Sequence, residues 1–337
     1  MTSTTFHTAA AHTGTGTGTD TARQAALSGP FFVVLNAGSG RHDADEEQQT
    51  MARLFTEAGR GFEFFRITEN TDIDALAREA VARAQQDGGV VVAAGGDGTI
   101  NAVAGAVLGS GCPFGVLPQG TFNYFGRVNA IPQDTAGAVK ALIGASISPV
   151  QVGKVNGKLF LVNASLGLYP QLLEDREAWK QQFGRSRLVA FMSGLATLWN
   201  GARQLRLNIE SEGKVAALRT PTLFVGNNHL QLERVGIDEE DAGAVQQGRL
   251  TAIVVKPIGT AALFWLLARG LAGRLGDAQN IDSFAFRRIT VTPKGLKKVK
   301  VATDGEITWM QPPLVFEVAS QQLLLMVPAP ADRAEVA

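Results

Sequence analysis

The sequence predicts an α/β fold in which an N-terminal doubly wound parallel sheet is followed by a mostly antiparallel β-sandwich. Three observations carry that expectation. Apolar runs without polar alternation recur between residues 31 and 117, as in strands covered on both faces. Apolar residues at helical spacing separate those runs, so strand and helix alternate through residues 31–145. From about residue 146, strand-like runs joined by turn signals take over.

Phe31-Phe32-Val33-Val34-Leu35 is the first buried strand and ends in Asn36-Ala37-Gly38-Ser39-Gly40. Met51, Leu54, Phe55 and Ala58 share a helical face, and a strand at Phe62–Ile67 then ends in Thr68. Ile73, Leu76, Ala77, Ala80, Val81 and Ala84 mark a second amphipathic helix. Val90-Val91-Val92-Ala93-Ala94 runs as a strand into Gly95-Gly96-Asp97-Gly98-Thr99-Ile100-Asn101, and Ile100, Val103, Ala104, Val107 and Leu108 follow at helical spacing. Exposed amides at such a helix start carry partial positive charge and suit a phosphate group. Asp97 is the odd residue there, because a bare carboxylate repels phosphate. It points to a bound magnesium ion or to a network orienting groups around a nucleotide. Taken alone, the same turn also fits plain sheet packing with Asp97 capping the helix. A short strand at Pro113–Leu117 leads into Pro118-Gln119-Gly120-Thr121-Phe122-Asn123, so three loops follow strand ends, where ligands bind in such sheets.

In the second half, strands are expected at Val150–Val155 and Leu159–Ala164, joined by the hairpin signal Asn156-Gly157. Helical stretches follow at 170–182 and 187–201. Further strands are expected at Gln204–Glu210, Thr222–Gly226, Leu250–Lys256, Ile289–Thr292, Val299–Thr303, Leu314–Val318 and Leu323–Val327. The division is a disordered tail at 1–30, an α/β domain at 31–148, a sandwich domain at 149–328 and a tail at 329–337. A return of the last strand to the first domain is left open.

A chain of 337 residues holds two ordinary domains. Lys+Arg and Asp+Glu are both 31, so no net charge drives it to nucleic acid or to an acidic membrane, while local patches stay available. One cysteine, Cys112, excludes an intramolecular disulfide and a cysteine-rich zinc site, and a reducing cytoplasm is the expected setting. Residues 1–30 are rich in Thr, Gly and Ala and lack the basic start and apolar core of a secretory signal. No apolar run approaches the length of a membrane helix, so the chain is expected to be soluble or peripheral, in the cytoplasm or at the inner membrane surface.

With Asn36-Ala37-Gly38-Ser39-Gly40, Gly95-Gly96-Asp97-Gly98-Thr99, Gly120-Thr121-Phe122-Asn123 and Asp304-Gly305-Glu306 standing in that order, the chain resembles the diacylglycerol kinase catalytic family. It is most similar to that family's soluble bacterial lipid kinases, with sphingosine kinases and NAD kinases as relatives. The similarity runs from about residue 31 to 328. It implies an ATP-binding α/β domain of NAD kinase/diacylglycerol kinase type, a β-sandwich substrate domain and an active site in the cleft between them. Asn36, Ala37, Gly38, Ser39, Gly40, Thr68, Gly95, Gly96, Asp97, Gly98, Thr99, Ile100, Asn101, Ala102, Gly120, Thr121 and Asn123 then stand as nucleotide contacts. The resemblance also places Asp97 among the catalytic residues with Asp304 and Glu306, acting indirectly on nucleotide-bound magnesium. Asp304 is the first choice of general base and Glu306 the second, since a lipid hydroxyl must lose its proton as it accepts the γ-phosphoryl group. Without the upstream loops, Asp304-Gly305 reads as a polar hairpin tip.

The chain departs from the family pattern where Tyr124 and Gln151 replace expected acids, Ala102 replaces a frequent glutamate, and Gln246-Gln247-Gly248 replaces a double-acid turn. Neutral amides hold magnesium poorly, so no ion is expected at Gln246. The expected activity is ATP- and magnesium-dependent phosphorylation of a diacylglycerol-like lipid, with a lipid substrate and transient membrane contact as partners. The alternatives are an NAD kinase-like enzyme and a weakened nucleotide- or lipid-binding protein. Leu263-Phe264-Trp265-Leu266-Leu267 with Arg269 and Arg274 fits an interfacial helix or a core-packing one. Lys294, Lys297, Lys298 and Lys300 fit anionic lipid or a lysine-protected strand edge. His229 reads as a loop histidine, and Cys112 as a small buried side chain.

Overall fold

The computed structural model of the chain describes residues 28–36, 41–120, 123–168, 170, 204–211, 213–228, 232, 243–245, 247–256 and 281–334. Ala37, Gly38, Ser39, Gly40, Thr121, His229, Gln246, the run at 263–274 and nearly all of the expected helical stretches 170–182 and 187–201 lie outside them.

The first half contains β1 (Phe31–Asn36), α1 (Arg41–Glu57), β2 (Phe62–Ile67), α2 (Ile73–Asp87), β3 (Val90–Gly95), α3 (Asp97–Val107), β4 (Phe114–Pro118), α4 (Tyr124–Val128), α5 (Thr135–Ile143) and β5 (Ser146–Val150). The helices start where the sequence supplies caps. Asp72 Oδ1 accepts from the amides of Asp74 at 3.0 Å and Ala75 at 3.1 Å, and Asp134 Oδ1 accepts from Gly137 at 2.7 Å. Gly88 ends α2 in the left-handed conformation, which releases the chain into β3. Every residue of β3 is buried, since β1 and β4 pair with it in parallel on its two edges and helices pack on the faces of the sheet. Helix α1 packs with α5 and helix α2 with α3, so each pair can cover one face of the sheet. Cys112 is buried under this layer, which pushes its thiol pKa up.

The second half contains β6 (Gly153–Val155), β7 (Lys158–Phe160), β8 (Asn163–Gly167), β9 (Leu205–Ser211), β10 (Lys214–Thr220), β11 (Thr222–Gly226), β12 (Leu250–Val255), β13 (Ile281–Phe286), β14 (Arg288–Pro293), β15 (Val299–Thr303), β16 (Glu306–Met310) and β17 (Leu314–Val318), followed by β18 (Leu323–Val327). Strands β6 to β17 form two antiparallel sheets, ordered β10-β9-β14-β17-β6-β7 and β13-β12-β11-β8-β15-β16. Alternate residues from both sheets, among them Phe160, Leu166, Ile209, Val225, Val291, Val301 and Phe316, meet in one buried cluster, which makes a β-sandwich.

The first sheet runs β2-β1-β3-β4-β18-β5. Strand β18 lies parallel to β4 and antiparallel to β5, so the last strand does join the N-terminal sheet. The expected single strand Val150–Val155 is two strands in different sheets. The chain crosses at Gln151-Val152, where the Gln151 side chain is drawn to Asn227 and to the carbonyl of Arg249. Strands β10, β13 and β16 had no counterpart in the sequence reading. Strand β10 is exposed along most of its length and so lacks apolar alternation. The ends of the expected tails are tied in place, since Pro30 O accepts from Val90 N at 2.9 Å and Ala130 O accepts from Ala334 N at 2.9 Å.

The β6–β7 hairpin that will line the site depends on one bare backbone position. A methyl group added at Gly153 would stand 2.3 Å from the Phe160 ring, which is fully buried. Gly153→Ala is therefore expected to destabilise the fold by about 1–3 kcal/mol through overpacking, read as a lowered denaturation midpoint at unchanged m-value.

Candidate active site

Strands β1 and β3 are neighbours whose following helices, α1 and α3, belong to different helix pairs, and ligands bind outside strand ends at such a reversal. The loops there are tied together. Asn36 Nδ2, at the end of β1, donates to Thr99 Oγ1 in the first turn of α3 at 2.9 Å. The Gln119 amide donates to Gly95 O at 2.9 Å. A methyl group at Gly120 would meet the Cα of Gly96 at 2.9 Å, so the third loop lies directly against the second. Helix α3 begins at Gly96 with no side-chain cap, which leaves its first amides to whatever enters the cleft.

The acids from the far end of the chain reach this point through a tight hairpin. Asp304 and Gly305 both have positive φ, 48° and 90°, and Thr303 pairs with Glu306 across them, which is the two-residue turn that Asp-Gly favours. The Asp304 carboxylate inserts into the corner between β7 and β8. Its Oδ1 accepts from the amides of Val162 and Asn163, both at 2.9 Å, and its Oδ2 from the amide of Leu161 at 2.6 Å. Asn101 Nδ2 of α3 donates to the same Oδ2 at 2.6 Å. Hairpin tip and the acid expected as base are thus one residue. Burial pushes Asp304 above the ordinary carboxylate range, against the opposing effect of those four donors. Glu306 is half-exposed and lies over the start of α3. Its Oε1 is 2.6 Å from where a Cβ of Gly98 would be, and Lys158 Nζ is 3.6 Å from its Oε2.

Asp97 does not cap its own helix. The backbone amides of Phe125, Tyr124 and Asn123 at the start of α4 hydrogen-bond to its carboxylate and favour the ionised form. Burial outweighs them and, together with the nearby Asp304 charge, pushes Asp97 up to about 6. Its Oδ1 is buried without a hydrogen-bond partner among the described residues. Between Asp97 and Asp304 lies a void of about 10 Å³, the size of about one water.

In front of these groups opens a cleft of about 1020 Å³ between the first sheet and the sandwich. Of the residues expected from the sequence, Asn36, Gly96, Gly98, Thr99, Asn101, Ala102 and Glu306 line it. Ile100 is buried, with its amide bonded to Gly96 O, so it serves the loop through its backbone. Asn123 is buried in a left-handed conformation. Its side chain closes on Gly120, with Oδ1 accepting from the Gly120 amide at 2.8 Å and Nδ2 donating to Gly120 O at 2.7 Å. Thr68 is not among the cleft-lining residues and pairs instead with Thr71. Sequence reading missed Ile73, Asp74 and Arg78 on α2 and Lys154 and Lys158 on β6 and β7, all of which face the cleft. Nothing local sets Asp74, Arg78, Lys154 and Lys158 apart from ordinary surface charges on a helix and a hairpin, and Ile73 read as part of an apolar helix face.

A family model described as the diacylglycerol kinase catalytic domain matches residues 30–155. A diacylglycerol kinase of Staphylococcus haemolyticus (strain JCSC1435) is 35% identical over 285 residues, covering 81% of both chains. The chain belongs to the diacylglycerol kinase catalytic family. A Bacillus subtilis (strain 168) diacylglycerol kinase is 27% identical over 83% of this chain and 90% of its own. In fold, the chain is similar to the crystal structure of a diacylglycerol kinase from Bacillus anthracis str. Sterne, with a TM-score of 0.65 at 19% identity, covering 90% of this chain and 97% of that one. As a member of this kinase family the protein is a phosphotransferase.

This family member carries Gln151 where an acid was expected, and the amide makes bonds that a carboxylate cannot. Gln151 Nε2 donates to Asn227 Oδ1 at 2.7 Å and to Arg249 O at 2.9 Å, while Asn227 Nδ2 donates back to Gln151 O at 3.1 Å. Tyr124, at the other expected acid, is 44% exposed at the start of α4. Among the described residues no three His, Cys, Asp or Glu side chains converge as a ready cation cage. The features present fit the phosphates of a nucleotide, since the cleft is wide and the first amides of α3 have no side-chain cap. Asp97 Oδ1, unpartnered among the described residues, faces the small void behind the cleft and suits an indirect, water-bridged role toward a nucleotide-bound magnesium ion.

The raised pKa of Asp97 has a measurable sign. The unfolded carboxyl titrates near ~3.9, so between about pH 4 and 6 the folded state binds more protons and stability falls as pH rises. Asp97→Asn removes that contribution. The variant is expected to gain on the wild-type chain across that window by on the order of 2 kcal/mol, measured by denaturant unfolding at the two pH values without nucleotide or magnesium. A difference that does not change with pH would refute the assignment.

Proposed function

We propose that the protein is an ATP- and magnesium-dependent lipid kinase that transfers the γ-phosphoryl group to the hydroxyl of a diacylglycerol-like lipid. The observation that carries this reading is the meeting of Asp304 and Glu306 with Asn101 and Gly98 at the open end of α3, across a cleft large enough for a nucleotide. ATP supplies the phosphoryl group when bound, and magnesium offsets the charge of its phosphates.

Gly96 and Gly98 let the first turn of α3 approach phosphate oxygens, and Thr99 is held in place by Asn36. Lys154 and Lys158 set positive charge on the opposite wall, where the anionic chain of phosphates would run. Asp97 fixes the third loop through the amides of α4 and offers one oxygen toward a cation. Asp304 is the proposed base. Three of its four donors are backbone amides, whereas Asn101 is a side chain, so rotation of the Asn101 amide frees a lone pair on Oδ2 for the hydroxyl proton. Burial raises the proton affinity of that carboxylate, as a base working near neutral pH requires. Glu306, on the cleft wall beside Lys158, orients the acceptor and is the second candidate for the proton.

Transfer of radiolabelled phosphate from ATP to dispersed diacylglycerol tests this, with NAD as the control acceptor. The lipid fraction is expected to carry the label. Asp304→Asn should lower kcat by about 10²–10⁴-fold, with the denaturation midpoint of the variant measured beside it because the carboxylate also accepts from three backbone amides; full activity in that variant would remove the assigned base. Lys158→Met is expected to raise KM for ATP by roughly tenfold with a smaller change in kcat, as follows from losing a charge that holds phosphate before and during transfer.

A further inference from the structure

A second groove, of about 740 Å³, opens at the opposite end of the sandwich from the carboxylate pair. Its walls are the end of β8 at Gly167, Arg206 on β9, the β14–β15 loop with Lys294, Leu296 and Lys298, and the cross-strand pair Lys300 and Trp309. Strand β15 runs from this groove to Thr303 beside Asp304, so at ~3.3 Å per residue the two sites are about 15 Å apart.

The lining is amphipathic. Trp309 is 61% exposed and Leu296 42%, both large apolar side chains left in solvent. Lys300 Nζ sits 5.1 Å over the Trp309 ring. No Asp or Glu lines the groove among the described residues, and Arg206, Lys294 and Lys298 have no ion-pair partner among the described residues. Lysines alone would be explained as protection of the β16 edge against pairing with another sheet. That explanation does not cover a tryptophan and a leucine exposed in their midst, because an edge gains nothing from apolar prongs. Rings and aliphatic side chains that project between lysines suit the headgroup layer of a bilayer, where the apolar parts enter the interface and the ammonium groups stay at the phosphates. The chain has no net charge, so this local patch supplies the electrostatic attraction itself.

We propose that this groove docks on an anionic phospholipid bilayer, seating Trp309 and Leu296 in the interface and Arg206, Lys294, Lys298 and Lys300 against lipid phosphates. The placement gives the kinase reading a membrane surface within about 15 Å of the carboxylate pair, and its purpose rests on that reading. Docking itself is measurable without nucleotide. The full chain, sedimented with vesicles of phosphatidylcholine containing roughly one-third phosphatidylglycerol, is expected to bind, to bind pure phosphatidylcholine much less, and to be released by salt. Lys294→Ala with Lys298→Ala should weaken binding on the order of twentyfold, at roughly fivefold per lysine. Trp309→Ala should weaken it as well, with both variants keeping the wild-type thermal midpoint. Wild-type affinity in both variants, equal binding to neutral vesicles, or no binding at all would overturn the proposal. So would a concentration-dependent dimer that Trp309→Ala abolishes while vesicle binding persists. Phosphate transfer in detergent micelles separates the two readings. Vesicle binding without transfer by the wild type sinks the lipid kinase and leaves the dock, whereas transfer in micelles without vesicle binding does the reverse.

Discussion

The structure depends on one carboxylate. Asp304 arrives at the site from 203 residues beyond Asn101, and its oxygens gather three amides of the β7–β8 corner together with that side chain of α3. Those amides fall where the chain leaves one sandwich sheet for the other, so they lack ladder partners and would otherwise be stranded. A single ionisable group therefore satisfies a structural need of the sandwich and ties it to helix α3 of the other half. Hydrogen bonds to a charged acceptor are among the stronger ones a protein makes, and a buried one left unmade is costly.

Around that contact the neighbouring parts follow. The Asp304-Gly305 turn places Glu306 two residues on, over Gly98, and the Asn156-Gly157 turn, also with positive φ at both residues, places Lys158 beside Glu306. Two hairpins from opposite sheets of the sandwich thus present an acid and a base to the same helix end. Asp97 works from the other side, bracing the start of α4 and so the third loop. Burial lifts the pKa of Asp97, and the nearby charge of Asp304, across the void between them, adds to the rise.

Much of this was legible in the sequence because the signals were local. The fully apolar β3 followed by three glycines and a helical period could be read from residues 90–108 alone, and Asn-Gly and Asp-Gly announced their turns. The illegible parts were those decided by distant partners. Gln151 ends one sheet and begins another because Asn227 and Arg249 hold its amide, and no window around residue 151 contains either. The partners of the Asn123 amide, Gly120 in its own loop and Gln133 beyond α4, were not legible from its position either. Lys154, Lys158 and Arg78 became cleft residues only through the docking of the two halves. Strand β16 hid because its outward face is Trp309, where a buried partner would have completed the alternation.

The crossing between halves is made twice, and side by side. Val150 pairs with Leu323 on the first sheet, Gly153 pairs with Val318 in the sandwich, and between them the Ala319 amide donates to Val152 O at 2.8 Å. The two connections are thus a single antiparallel ribbon that passes from one body into the other. A ribbon of this kind bends readily across its face and resists shear along its length. Any swing between the halves is therefore channelled into one direction, like a door hung on a strap, and the hairpin tips on the sandwich can leave and regain the same helix end without losing alignment.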